Sequence, residues 1–73
     1  MKEYDLVELI KDRDNYKNEG VLKGMFGAVM CEKSVGGKWE VHFGDYETGT
    51  IILMVKEEDL KVHESMPRIN PSP

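Results

Sequence analysis

The sequence is poor in cysteine, in aromatic residues and in long apolar runs. Among its 73 residues there is one cysteine, Cys31, and aromatic residues make up 8%. A single cysteine excludes an internal disulfide and a four-cysteine zinc site. No apolar run approaches the length of a membrane span, and the acidic N-terminal segment lacks the apolar core of a signal peptide. We therefore expect one small cytoplasmic domain without a membrane segment.

Positive charge is scarce as well. Ten Lys and Arg residues stand against fourteen Asp and Glu, which gives a formal net charge of −4, and the basic residues are scattered. Nucleic-acid binding depends on a basic stripe that displaces counterions from phosphates. The charge pattern therefore disfavours a nucleic-acid partner and is compatible with a basic protein partner.

Alternation of apolar and polar residues predicts β-structure through most of the chain. The clearest segment is Lys38–Phe43, where Trp39, Val41 and Phe43 alternate with polar residues, so that one face is buried and the other is wet. The pair Gly36-Gly37 before it predicts a hairpin turn. Further strands are predicted over residues 4–10, 25–33, 50–55 and 61–64, with a helix over residues 3–12 as the alternative for the first of them.

Polar segments separate these strands. Residues 12–20 predict a long loop, residues 44–49 a second turn, and Lys56–Leu60 a single charged 3₁₀ turn whose carboxylates are solvated. The chain is therefore predicted to form an all-β domain over residues 1–64, followed by a disordered tail over residues 65–73 that holds three prolines. The expected core consists of Val7, Leu9, Leu22, Val29, Cys31, Trp39, Val41, Phe43, Ile51, Leu53, Val55, Leu60 and Val62.

The glycines of "EGVLKGMFGAVM", at positions 20, 24 and 27, resemble a phosphate-binding loop only superficially. Their spacing fits neither the P-loop nor the dinucleotide-binding pattern, and a β-rich run follows where those motifs need a helix. We therefore expect these glycines to serve the backbone at the bend into the second strand.

Side chains that could carry chemistry are few. Cys31, His42 and His63 are the only thiol and imidazole groups, and their strand parity points Cys31 inward and His42 outward beside Glu40. A zinc site takes four ligands, or three and a water. A metal-dependent enzyme using His42 and His63 is the third and weakest hypothesis. We predict no enzymatic activity and no cofactor.

Several motifs resemble those of a known family. The segment "LKGMFGAVMC" resembles the strand-entry signature of SH3-like and KOW-type barrels, with Leu22, Gly24 or Met25, Gly27 and Val29 at the matching positions. Together with "YDLVELIKDRD", "KWEVHF" and "ILMVKEEDLKV", residues 4–63 resemble a family of short bacterial SH3-like barrels classed as a domain of unknown function. The resemblance implies a five-stranded SH3-like barrel with one 3₁₀ turn before the last strand. It also implies a small partner protein of the antitoxin, immunity or inhibitor type.

Two surfaces are candidates for partner binding. Aromatic residues flanked by acids on the loops predict a patch for a basic protein partner, because Tyr is enriched at interfaces. Proline-peptide recognition is disfavoured, because the turn KEEDL lacks the Pro and Tyr that line such a groove. The patch consists of Asp12, Asp14, Tyr16, Asp45, Tyr46 and Glu47.

A second set of apolar residues, Ala28, Met30, Ile52 and Met54, lies on the opposite strand parity from the core. These residues either cover an open end of the barrel or mark a sheet edge or dimer interface, so that the chain is a monomer or a weak homodimer. The leading hypothesis is a non-enzymatic protein-interaction module. The alternative is a KOW- or Tudor-like module that binds nucleic acid or the ribosome.

Overall fold

The computed structural model describes residues 1–45 and 49–64, and these form one antiparallel five-stranded sheet with little helix. The strands lie in the order β4-β3-β2-β1-β5, so that β4 and β5 are the two ends of the sheet. In chain order the elements are β1 (Leu6–Leu9), α1 (Asp14–Asn18), β2 (Phe26–Val29), β3 (Lys38–Asp45), β4 (Gly49–Lys56), the 3₁₀ turn Glu57–Asp59 and β5 (Leu60–Glu64). The predictions of a mostly β fold with five strands and one 3₁₀ turn are confirmed, whereas closure into an SH3-like barrel stays a prediction.

The longest strand pair is the hairpin of β3 with β4. Its register runs from Lys38 opposite Lys56 to Asp45 opposite Gly49. The other hairpin predicted from the sequence, between β2 and β3, turns at Gly36 and Gly37, whose φ angles are 60° and 77°. Two successive positive φ angles match the right-handed twist of the flanking strands, and glycine adopts them without a steric cost.

The core lies on one face of the sheet, beneath α1 and the loop that follows it. Trp39, Val41 and Phe43 are buried there, as their alternation predicts. Gly27 faces the same side, and a β-carbon at this position would lie 2.8 Å from the His42 carbonyl oxygen and 2.9 Å from Phe43 Cδ1. Gly27 is therefore required by close approach of β2 to β3, which agrees with the backbone role expected from the sequence.

Two expected core positions are wrong. Leu22 is 51% exposed, and its neighbour Val21 is buried in its place, because the turn after α1 points Val21 towards the sheet. Val62 is 39% exposed, because it lies on β5 at the end of the sheet, where no further strand covers it. Cys31, Ile51 and Leu53 are partly buried against the core.

The predicted loop over residues 12–20 contains α1, a helix of five residues. The second predicted strand is also shorter than expected, since β2 ends at Val29 and the chain from Cys31 onward leads into the hairpin turn. The strand prediction for the first segment is confirmed, and the helix over residues 3–12 is wrong. Residues 46–48 and 65–73, on which the second turn and the disordered tail were predicted, lie outside the described residues.

Candidate protein-interaction face

The side of the sheet opposite the core carries exposed apolar side chains. We call this side the outer face. Strand register places Ala28 between Leu6 of β1 and His42 of β3, and places Ile52 of β4 beyond His42. In the adjacent row Glu40 lies next to Met54, and the N–H of Met30 donates to the Glu40 carbonyl oxygen at 2.9 Å. The apolar residues of the outer face are Leu6, Phe26, Ala28, Met30, Ile52 and Met54.

Two histidine–carboxylate pairs are set among these apolar residues. His42 Nε2 lies 2.9 Å from Glu40 Oε2, which confirms that His42 points outward beside Glu40. His63 Nε2 lies 2.6 Å from Glu8 Oε1. Each pair provides a hydrogen-bonding group that can orient a partner on an otherwise apolar surface.

His63 reaches the outer face through an irregularity in strand pairing. The register of β1 with β5 shifts between Leu6, which opposes Glu64, and Val7, which opposes Val62. The shift leaves His63 as an extra residue on β5, and a bulge of this kind redirects a side chain. The His63 ring lies 4.8 Å from the ring centroid of Phe26, so the bulge joins β5 to the apolar residues of β2.

The opposite end of the site is the β4 edge. Four of the outer-face apolar side chains are clearly exposed, with Ile52 the most accessible at 61%. Isolated exposed apolar residues are ordinary, but a contiguous set on one sheet face marks an interaction surface. The exposed members are Phe26, Met30, Ile52 and Met54.

The predicted loop patch is only partly assembled. Asp12 and Asp14 are exposed, and Asp12 Oδ1 accepts a hydrogen bond from the Lys23 backbone N–H at 2.8 Å. Asp45 lies at the end of β3, opposite Gly49. Tyr46 and Glu47 lie outside the described residues.

Tyr16 differs from the expectation most strongly. Its polar neighbours predict an exposed loop position, but only 1% of its surface is accessible and its ring lies in the core. The cause is α1, which turns the Tyr16 side chain beneath the sheet end. Its hydroxyl donates to Asp59 Oδ2 at 2.7 Å and accepts from the Lys56 backbone N–H at 3.2 Å. An interface role for Tyr16 at the surface is therefore not supported by its position.

Asp59 was expected on a solvated turn, and it is fully buried. Arg13 Nε donates to Asp59 Oδ2 at 2.6 Å, and Arg13 Nη2 donates to Asp59 Oδ1 at 2.9 Å. These Arg13 hydrogen bonds, with that of Tyr16, lower the pKa of Asp59 against the opposing effect of burial. Burial and the hydrogen bond to Asp59 raise the pKa of Tyr16. We call Arg13, Tyr16 and Asp59 the buried cluster after its two buried members, Tyr16 and Asp59, whereas the Arg13 side chain is 31% exposed. Its bonds join the first loop to the 3₁₀ turn.

The three candidate metal ligands are not brought together. His42 lies on β3 and His63 on β5, with β2 and β1 between them in the sheet, while Cys31 Sγ accepts the Glu40 backbone N–H at 3.3 Å. Within residues 1–45 and 49–64 no group of three potential ligands is placed to hold a metal ion. No helix in the described part of the chain is long and apolar enough to cross a membrane.

Comparison with known proteins provides no relative, since no family model, curated protein or solved structure matches this chain. The function is therefore inferred from the geometry of the outer face and its two histidine–carboxylate pairs.

Part of this face was predicted from the sequence, and the rest was not. Ala28, Met30, Ile52 and Met54 were found from strand parity. Phe26 has the same parity as Ala28 and Met30 but was left out of the predicted set, and the link from His63 to Phe26 depends on a bulge. A period-2 pattern identifies which residues share a face of one strand, but it carries no information on how neighbouring strands are aligned.

Proposed function

We propose that this chain is a non-enzymatic protein-interaction module that binds a protein partner through its outer face. The observation that carries the proposal is the contiguous set of exposed apolar side chains around the Glu40–His42 pair. Such a surface suits a partner that presents apolar anchors at the centre and polar groups to the two histidine–carboxylate pairs. The net charge of −4 favours a partner with a basic rim.

Two other titratable side chains, Asp59 and Glu57, form hydrogen bonds within the fold, which favours a structural rather than a catalytic role for them. Asp59 is engaged in the buried cluster, and Trp39 Nε1 donates to Glu57 Oε1 at 2.9 Å within the same end of the sheet. These contacts join elements that are far apart in sequence. The family resemblance implies a small partner protein of the antitoxin, immunity or inhibitor type. We include this role in the proposal, so that the protein bound at the outer face is one that this chain neutralises.

The SH3-like barrel is part of the proposal as well. The strand order in which β5 returns to pair with β1, together with the single 3₁₀ turn before β5, supports it. In such a barrel the outer face lies on the outside of the wall, where a partner can reach it.

Affinity capture with the immobilised full chain tests the proposal. We expect a protein from a lysate of the source organism to be retained by the wild type and lost with Phe26→Asp. Leu22→Asp is the matched control, because Leu22 is 51% exposed, Phe26 is 46% exposed, and Leu22 lies off the outer face. Far-UV circular dichroism confirms that both variants are folded.

Two results would contradict the proposal. Equal retention of the same proteins by the wild type and both variants would show that the outer face does not bind them. Retention of nucleic acid alone, with binding to a labelled RNA that weakens steeply as salt rises, would favour the KOW- or Tudor-like alternative.

A further inference from the structure

Strand β4 has an edge on which backbone groups have no strand partner among the described residues. The Glu40 carbonyl accepts from Met30, so the backbone groups of Glu40 face β2 and those of Val41, its neighbour, face β4. Val41 opposes Leu53, and therefore Leu53 bonds to β3. The N–H and C=O groups of Ile52 then point away from the sheet, as do those of Thr50 and Met54.

The two ends of the sheet differ in charge. At the β5 end, Lys61 and the bulge at His63 provide the charged and irregular edge that natural sheets use to prevent strand addition. From Gly49 to Val55, β4 has no charged residue and no proline, and it is rich in β-branched and apolar side chains. A strand of this composition at a sheet edge is suited to pair with another strand.

The length of the free β4 edge is set by the buried cluster. Lys56 shares the outward parity of Ile52, but its N–H donates to the Tyr16 hydroxyl and is therefore occupied. The outward-facing residues that remain are Thr50, Ile52 and Met54, and Ile52 is their midpoint. A symmetric antiparallel pair centred on Ile52 uses all of them, because Ile52 opposes its own copy and Thr50 opposes Met54 of the other chain.

We propose that a second copy of this chain adds to the β4 edge, forming a two-fold dimer centred on Ile52. Each opposed pair exchanges two N–H···O=C hydrogen bonds, and the surface is complementary to itself, as a two-fold interface must be. No like charges meet along Gly49–Val55, whereas pairing of β4 with a β5 edge brings Lys61 and His63 against an apolar strand.

The pairing also covers apolar side chains on both faces of β4. On the outer face Ile52, 61% exposed in the single chain, lies beside Ile52 of the other copy. On the core face the partly buried Ile51 and Leu53 of one chain come to lie beside Leu53 and Ile51 of the other. The dimer therefore joins two sheets into one continuous sheet with two outer faces side by side.

Sedimentation velocity of the full chain over a range of concentrations tests the dimer. We expect a reversible dimer for the wild type. Ile52→Lys should weaken association by about tenfold or more, because it opposes two like charges at the centre and removes apolar contact. Val35→Lys is the matched control, because it also replaces an exposed β-branched residue by lysine but lies in the β2–β3 turn. Val35 is 68% exposed, and the variant should dimerise like the wild type.

Amide hydrogen exchange distinguishes this pairing from other dimers. The amides of Ile52 and Met54 should exchange about tenfold or more slowly at a concentration where the dimer is populated than at one where it is not. The amide of Leu53, which bonds within the chain, should show no such dependence. Wild-type chain that stays monomeric, a dimer unaffected by Ile52→Lys, or one abolished instead by Val62→Lys on β5 would overturn the proposal. Partner capture by a monomeric chain would leave the outer-face function standing without the dimer.

Discussion

Asp59 shows how one buried carboxylate holds two distant segments of a small chain. It receives hydrogen bonds from Arg13 and Tyr16, which lie before and within α1, while its own backbone carbonyl accepts the Ile10 N–H at 2.9 Å. A buried carboxylate is compatible with a stable fold only when its hydrogen-bonding capacity is satisfied. Here both carboxylate oxygens have donors, so the buried cluster acts as a structural link between β1, α1 and the 3₁₀ turn.

Replacing Tyr16 tests the neutral member of the buried cluster. Tyr16→Phe keeps the ring in the core but removes the donor to Asp59 and the acceptor of the Lys56 N–H. We expect the free energy of unfolding to fall by about 1–3 kcal/mol, measured by urea denaturation. Tyr4→Phe is the control, because Tyr4 is exposed, and it should change stability by less than about 0.5 kcal/mol. Equal effects of the two changes would contradict the structural role of the Tyr16 hydroxyl.

The lowered pKa of Asp59 predicts a stability difference that depends on pH. A carboxylate whose pKa is lowered by folding stabilises the native state above its unfolded pKa, about 3.9, and loses this contribution as pH falls through the folded value. Asp59→Asn should therefore be less stable than wild type at pH 6–7, and the difference in free energy of unfolding between the two should become smaller below about pH 4. Glu32→Gln, a change at an exposed carboxylate between β2 and β3, should follow the wild-type profile. The urea midpoints of the wild type and of Asp59→Asn, measured across this pH range, test the prediction. A stability difference that does not change with pH would refute the lowered pKa of Asp59.

At the scale of elements, the contact of β2 with β3 depends on the absence of a side chain at Gly27. An added β-carbon would lie 2.8 Å from both Val41 Cγ1 and the His42 carbonyl oxygen, and the backbone atom cannot move without shifting β3. We expect Gly27→Ala to lower the free energy of unfolding by about 1–3 kcal/mol, measured in urea. Ala28→Ser, on the next residue and the opposite face, should cost less than about 0.5 kcal/mol. Wild-type stability in Gly27→Ala would show that β2 and β3 are less closely packed than described.

The strands were predictable because their signal is local. Alternation identified the buried side chains of β3, and the glycine pair identified its preceding turn, since both depend only on neighbouring residues. The helix α1 was not predictable on the same basis. Its five residues, Asp14–Asn18, are polar apart from Tyr16, and so short a helix is stabilised by tertiary contacts rather than by its own propensity.

The burial of Asp59 could not be predicted either. In the sequence it stands in an acidic run with Glu57 and Glu58, a composition typical of a solvated turn. Its burial depends on Arg13, which lies 46 positions away along the chain. The same limit applies to the outer face, where parity found Ile52 and Met54 but strand register was needed to place them beside His42 and Glu40.

At the scale of the whole molecule, a single small core serves every element. Its buried apolar residues come from all five strands and from the α1 region, and a core of this size rarely supplies more than about 3–5 kcal/mol of stability. The buried cluster and the Trp39–Glu57 hydrogen bond lie at the same end of the sheet and join the 3₁₀ turn to β3 and the first loop. No described element therefore has a separate core on which to fold alone.

This arrangement predicts that the chain unfolds in one cooperative step. Trp39 is the single tryptophan, 6% exposed, and reports on the end of the sheet that holds the 3₁₀ turn, while far-UV circular dichroism reports on all strands. At one fixed protein concentration the urea midpoints from the two signals should coincide, because the turn cannot open without exposing the shared core. Tyr16→Phe should shift both midpoints together. A tryptophan transition at lower urea than the dichroism transition would mean instead that the buried cluster opens as a separate unit while the sheet remains folded.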